Sequence, residues 1–324
     1  MVAPRGPRAR RDKLRRAFGV PEPAAPASDR ASEVAGSVRE SARESSPPVR
    51  PVPTMREFLQ QRRRRRAQAG GESSVGAFAA GARPAVELPE AEVRATEHGD
   101  LWLRQLRYPP EHIHGRTPLA DAQAFDAERV AVLAKDPGLA DLRPEQCLFL
   151  DTETTGLSGG AGTVVFNYGM AFFEGEELCL EQLFLRDFSE EPAMLQHVAE
   201  RLRQRPVLVT YVGKSYDRHR IAARLAVHKI AAPVLTDRHL DLYHVVRRQF
   251  GSKHSENRWP DSRLRTAEER LLGFHREHDL PGSEAPAAFL DWIRNRSGPV
   301  DQVLEHNRLD VLSLVALLGA LFQP

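Results

Sequence analysis

Two carboxylates stand two residues apart in Asp151-Thr-Glu153, directly after the apolar run Cys147-Leu-Phe-Leu150. In a strand, alternate side chains point to one face, so both acids project together. Paired carboxylates repel each other unless a divalent cation neutralises them, and hard oxygen donors of this kind suit Mg2+ or Mn2+. With 44 acidic residues among 324, about six acid-x-acid pairs arise by chance, so the pair alone also reads as a solvated strand end. Its context is more telling. The acids end a buried-type strand, the small residues Thr154-Thr155-Gly156 follow, and open α/β sheets place ligands at strand ends. A third acid, Asp217, follows the apolar run Val207–Tyr211 and opens a helical stretch, where a charge favourable to a helix N-terminus is the alternative role. A fourth, Asp310, lies in the last helical stretch with His306 four residues before it. That spacing puts both on one helical face, with a plain solvated His–Asp pair as the alternative.

The elements that must position these residues follow from pattern. Cys147–Leu150, Thr163–Phe173 and Glu177–Leu185 read as strands, the last two joined by a hairpin at Glu174-Gly175-Glu176. A helix is expected over Glu191–Arg205, capped by Ser189 and with Pro192 in its first turn. Val207–Tyr211 reads as a strand, Ser215–Lys229 as a helix, and Val234–Leu242 as an extended segment passing into a helix through Phe250. Thr266-Ala-Glu-Glu269 has the form of a capping box opening a short helix to Leu272. Ala285–Asn295 and Pro299–Phe322 are the last helices, and upstream Phe125–Lys135 reads as a short one. A meander followed by alternating helix and strand implies an α/β fold, a mixed sheet flanked by helices.

Composition separates the chain into parts. The first 70 residues carry 17 Lys+Arg against 7 Asp+Glu, whereas the whole chain has a net charge of only +2. A basic arm thus precedes an acidic body, which suits an anionic partner such as nucleic acid, although a solvated leader explains it equally. Residues 1–98 read as a disordered basic Pro/Arg-rich leader that cannot bury enough apolar surface to order itself, with one local helix at Thr54–Gln68. Residues 99–145 read as an extension packing on the core, and 146–324 as the domain bearing the acids. No apolar run is long enough for a membrane span, and no apolar block follows the N-terminal arginines as in a secretory signal. The two cysteines, Cys147 and Cys179, exclude a disulfide scaffold and suit a reducing cytoplasm. Ser158-Gly-Gly-Ala-Gly162 lacks the Gly-Lys-Ser/Thr ending of a phosphate loop. The scattered histidines, among them His112, His114, His239 and His244, lack cysteine partners for zinc. No Gly-x-Ser-x-Gly elbow supports a serine hydrolase.

Three motifs in order resemble those of the DEDD, or DnaQ-like, nucleases: Phe149-Leu-Asp151-Thr-Glu153-Thr-Thr-Gly156, Tyr211-Val-Gly-Lys-Ser-Tyr-Asp217 and Glu305-His-Asn-Arg-Leu-Asp310-Val. Arg238-His-Leu-Asp-Leu242, Leu271-Leu-Gly273, Asp279-Leu-Pro-Gly282 and His306-Asn307 are similar to the pattern of the YprB-like ribonuclease H-like family. The resemblance covers roughly Tyr108–Leu321. Val212 stands where the second motif usually carries Asn, and three residues separate His306 from Asp310. The resemblance implies a ribonuclease H-like mixed five-stranded sheet and a metal-dependent 3′→5′ exonuclease acting on single-stranded DNA or RNA. It implies that two Mg2+ or Mn2+ ions are held by Asp151, Glu153 and Asp310, with Asp217 engaging one through water, and that His306 orients or deprotonates the attacking water. Thr154, Gly156, Lys214, Tyr216 and Asn307 would meet substrate. Arg238, Arg247 and Arg248 are further candidates for phosphates, and Tyr211 and Tyr243 for bases, with ordinary packing as the alternative. A non-catalytic nucleic-acid-binding module on the same fold is the rival reading.

Overall fold

The computed structural model describes residues 86–156, 162–231, 238–251, 259–277 and 279–323. The expected helix at 54–68, most of the Gly-rich loop after Gly156 and the segment before Arg238 lie outside the described residues.

The sheet opens with a hairpin, β1 (Glu92–Thr96) and β2 (Gly99–Tyr108), turned at Thr96, whose hydroxyl donates to the Gly99 carbonyl. A small two-stranded ribbon, β3 (Ile113–His114) and β4 (Thr117–Pro118), follows. Helix α1 (Ala127–Ala134) is capped by Asp126, whose carboxylate accepts from the Glu128 and Arg129 N–H groups. The meander β5 (Cys147–Thr154), β6 (Val165–Glu174) and β7 (Glu177–Phe184) comes next. After it alternate α2 (Glu191–Gln204), β8 (Val207–Thr210), α3 (Asp217–Val227), β9 (His239–Asp241) and α4 (Leu242–Phe250). Helix α5 (Leu264–Ala267) runs on into a π-helical turn, Glu268–Leu272. Helices α6 (Ala285–Asn295) and α7 (Val300–Phe322) complete the order.

Seven strands form one mixed sheet in the order β1-β2-β7-β6-β5-β8-β9, with β8 parallel to β5 and to β9 and the other pairs antiparallel. The expected five-stranded core is β5 to β9. The sheet is wider because Leu103–Tyr108 add to the free edge of β7, where their backbone groups find the ladder partners a lone strand would lack. Strand β1 begins before residue 99, inside the segment read from sequence as leader. All five of its residues are exposed, so it carries no core pattern to announce it.

Two details of the expected helix starts are corrected. Asp187, not Ser189, caps the 3-10 turn Phe188–Glu190 that leads into α2, because its carboxylate accepts the Ser189 N–H and hydroxyl. Helix α5 starts at Leu264, so Thr266 lies inside it and donates its hydroxyl to Asp261 instead of capping.

The sheet buries both faces. Leu148, Leu150, Phe166, Tyr168, Met170 and Phe172 pack under α2, α3 and α6 on one side. Phe149, Ala171, Phe173 and Leu180 pack against α7 and α4 on the other. Burial of an average Leu or Phe side chain contributes about 1.5–3 kcal/mol, so the two layers fix β5 and α7 firmly against each other. A Cβ on Gly169 would collide with the Asn307 amide and Val311, so glycine there is what lets α7 lie close over β6.

Candidate functional site

Asp151 and Glu153 lie on the α7 face of β5, in register with Gly169 and Asn167 of β6. The ladder shifts register between Glu153 and Thr154, a local kink of the kind that re-aims side chains beside functional sites. Asp217 is the first residue of α3, and its carboxylate accepts the Thr152 hydroxyl at 2.6 Å. Asp310 and His306 lie on α7, with His306 Nε2 3.6 Å from Asp310 Oδ2. One turn away, buried Asn307 donates from Nδ2 to Asp151 Oδ2 at 2.8 Å and to its carbonyl at 3.3 Å. The Asn307 Oδ1 accepts from Gln182, which also donates to the Leu304 carbonyl.

Burial and neighbouring charge both bear on these acids. Burial pushes the Asp151 carboxyl well above the usual range, and the charges of Asp310, Glu153 and Asp217 push it further. Glu153 is raised in the same way, by burial and then by Asp310 and Asp217, with Asp279 adding to them. Asp217 is pushed up to about 6 by burial; the Thr152 hydrogen bond opposes this and buried Asp241 adds to it. Four expected acids therefore share one neighbourhood. Glu153 is buried, and among the described residues no hydrogen-bond donor reaches its carboxylate. Such an arrangement calls for a cation.

The structure also holds a cation that the sequence motifs leave out. Arg276, 3% exposed, forks onto Glu268 (Nη2–Oε1 2.5 Å, Nε–Oε2 3.0 Å), pairs with Asp310 and reaches Asp279 at 3.4 Å. Burial pulls its proton affinity down, yet Asp310 and Glu268 raise it overall, so it stays charged. Asp279 in turn accepts from His306 Nδ1 at 2.6 Å, which holds the ring and leaves Nε2 toward Asp310. Glu268 also accepts the Ser313 hydroxyl. Among the described residues no three His, Cys, Asp or Glu side chains already close around a single ion. The acids are neighbours tethered by Asn307, Thr152 and Arg276, and the set of hard oxygens fits a divalent cation in chemistry without forming a finished shell.

A cleft of about 450 Å3 opens beside them, lined by Asp151, Asp310, Tyr211, Val212, Tyr243 and the Asp261–Leu264 segment. Tyr211 and Tyr243 meet edge to face, with centroids 5.9 Å apart. Val212 is 39% exposed and has φ +67°, a left-handed conformation unusual for a β-branched residue. Buried Asp241 enforces it by accepting the Val212, Lys214 and Tyr243 N–H groups.

The remaining expected residues divide. Tyr216 OH bonds the Thr154 hydroxyl (2.8 Å) and the Gly156 carbonyl (3.0 Å), so those three form one tethered group at the end of β5. Lys214 is partly buried, and burial pulls its ammonium below the usual lysine range. Arg238 pairs with Asp141, and Arg248 donates to the Leu133 carbonyl; both are engaged by the body of the protein, while Arg247 is exposed. Thr152, Arg276 and the roles of Asp241 and Asp279 went unread in the sequence. Asp241 and Asp279 sit inside the family-like stretches, but nothing in the spacing of Arg276 signals its partners.

Comparison with known proteins agrees with this frame. A model of the RNase_H superfamily matches residues 148–322. The chain is 32% identical over 223 residues, 66% of its length, to "Uncharacterized protein YprB" of Bacillus subtilis (strain 168). It spans about half the length of that relative, 51%.

Proposed function

The chain belongs to the RNase_H superfamily, and from that premise we propose that it is a metal-dependent nuclease of the 3′→5′ exonuclease type, hydrolysing phosphodiester bonds of single-stranded DNA or RNA in the cytoplasm. The observation that carries this reading is that Asp151, Glu153, Asp217 and Asp310 come from three distant stretches of chain, that the charges of Asp217 and Asp310 bear on both Asp151 and Glu153, and that Asp151 and Asp310 line one cleft. These four would hold two Mg2+ or Mn2+ ions, which when bound would stabilise charge on the attacking and leaving oxygens.

The chain's own groups supply the rest. His306, gripped at Nδ1 by Asp279, takes a proton from the attacking water at Nε2. Asn307 and Thr152 fix the carboxylates of Asp151 and Asp217, so little reorganisation is needed when substrate arrives. Tyr211, Val212, Tyr243 and Leu264 give the cleft an apolar wall suited to a base or sugar, and Arg263, with its side chain 83% exposed, stands at the rim for phosphate.

One observation favours the rival reading of a binding module that does not cleave: Arg276 already neutralises part of Asp310. The two are separated by Mn2+-dependent digestion of 3′- and 5′-labelled single-stranded DNA and RNA. The nuclease shortens the strands from the 3′ end, and Asp151→Ala abolishes this while keeping the circular dichroism spectrum. Binding without shortening, or wild-type rates in Asp151→Ala, refutes the nuclease.

A further inference from the structure

Asn167 sits in the middle of β6, in Val165-Phe-Asn-Tyr-Gly-Met, a stretch otherwise built of core residues and glycine. Asn is disfavoured in strands, and this one is 0% exposed. Among the described residues neither its amide oxygen nor its amide nitrogen has a hydrogen-bond partner. Nearly all buried polar side-chain atoms in native proteins find one, and a buried group left without costs the fold its full desolvation penalty. An apolar residue of the same size would avoid that cost, so the amide needs a partner that the described residues do not supply.

Its position identifies that partner. Asn167 is the cross-strand neighbour of Glu153, and residues directly opposite in an antiparallel pair project from the same face with Cβ atoms about 4.5–5.5 Å apart. Glu153 is the acid whose carboxylate receives no donor among the described residues. A carboxylate that no described donor reaches thus lies beside a buried, unpartnered amide able to offer a neutral oxygen. Amide oxygens are ordinary ligands of hard divalent cations. A neutral donor also adds coordination without adding a further negative charge beside Glu153, which Asp310 and Asp217 already raise.

We propose that Asn167 is a further oxygen donor of the cation site at Glu153, turning its amide oxygen to the ion and its NH2 to the Glu153 carboxylate. This rests on the metal-dependent reading above and adds to it a residue outside the three motifs.

The test is Mn2+ titration of the chelator-washed full chain by calorimetry, for the wild type, Asn167→Leu and Asn167→Ser. Removing a group that orders a metal site typically weakens affinity about 10–100-fold, and Asn167→Leu is expected in that range. In chelator the same variant melts at a higher temperature than the wild type, since the unpaired amide is gone. Asn167→Ser, with a hydroxyl too short to reach, loses affinity likewise and decides the matter if the Leu variant does not fold. Wild-type Mn2+ affinity in the folded variants overturns the donor alone and leaves the amide a partner of buried water. A wild type that binds no Mn2+ overturns the metal-dependent reading and the donor with it.

Discussion

Asp217→Asn should make the metal-free protein more stable at neutral pH. The Asp217 carboxyl is pushed up to about 6 from its ordinary 3.8, chiefly by burial, against the hydrogen bond from Thr152. Each tenfold change in proton affinity is worth about 1.36 kcal/mol, so ionised Asp217 costs the cation-free fold about 3 kcal/mol at pH 7. The folded value lies above the unfolded one. The cost is therefore complete above pH 6, shrinks as pH falls through 6, and is gone below about 4, where the group is protonated in both states. Asn keeps an oxygen to accept the Thr152 hydroxyl and removes the charge. Urea denaturation in chelator should place Asp217→Asn above the wild type by up to about 3 kcal/mol at pH 7.5 and level with it at pH 4. Saturating Mn2+ should shrink or reverse the difference, because only the wild type retains the full ligand set. Equal or lower stability of Asp217→Asn in chelator at pH 7.5 would show that burying the ionised Asp217 carboxylate does not cost the cation-free fold what its raised proton affinity implies.

Two further substitutions probe the frame around the acids. Val212→Asn should raise the unfolding free energy from urea denaturation by about 1 kcal/mol, because Asn tolerates the left-handed backbone that costs Val about 1–2 kcal/mol and Val212 is exposed; an unchanged or lower unfolding free energy counts against strain there. Gly169→Ala should push Asn307 off Asp151, costing about 1–3 kcal/mol in stability and about 10²-fold in cleavage rate. Wild-type cleavage by a folded Gly169→Ala protein would mean that the Asn307 tether is dispensable.

What the sequence discloses and what it hides divide along the range of the interactions. Asp151 and Glu153 are legible because period two in a strand is local, and β5 continues an apolar run that can only be a core element. Asp310 and His306 are legible because helical spacing is local too. Their meeting with Asp217 rests in the sequence on resemblance, since no spacing rule joins positions this distant. Arg276 is invisible beforehand: its partners Glu268, Asp279 and Asp310 come from a π-helical turn, a loop and α7, and an arginine among many carries no mark of burial. Strand β1 escapes for the opposite reason, since its residues are all exposed and give no apolar alternation. The Val212 departure becomes intelligible only with coordinates. The usual Asn of that motif suits a backbone that Asp241 pulls left-handed, and this chain accepts the strain to present an apolar side chain at the cleft.

The long helix that brings Asp310 to the sheet has a consequence for timing. Roughly 160 residues separate Glu153 from Asp310, so at ordinary translation speeds the ribosome makes the first acids roughly 8–30 s before the last. During that interval the emerging polypeptide holds an incomplete set of acids, and neither a truncated product nor a stalled one can assemble all four.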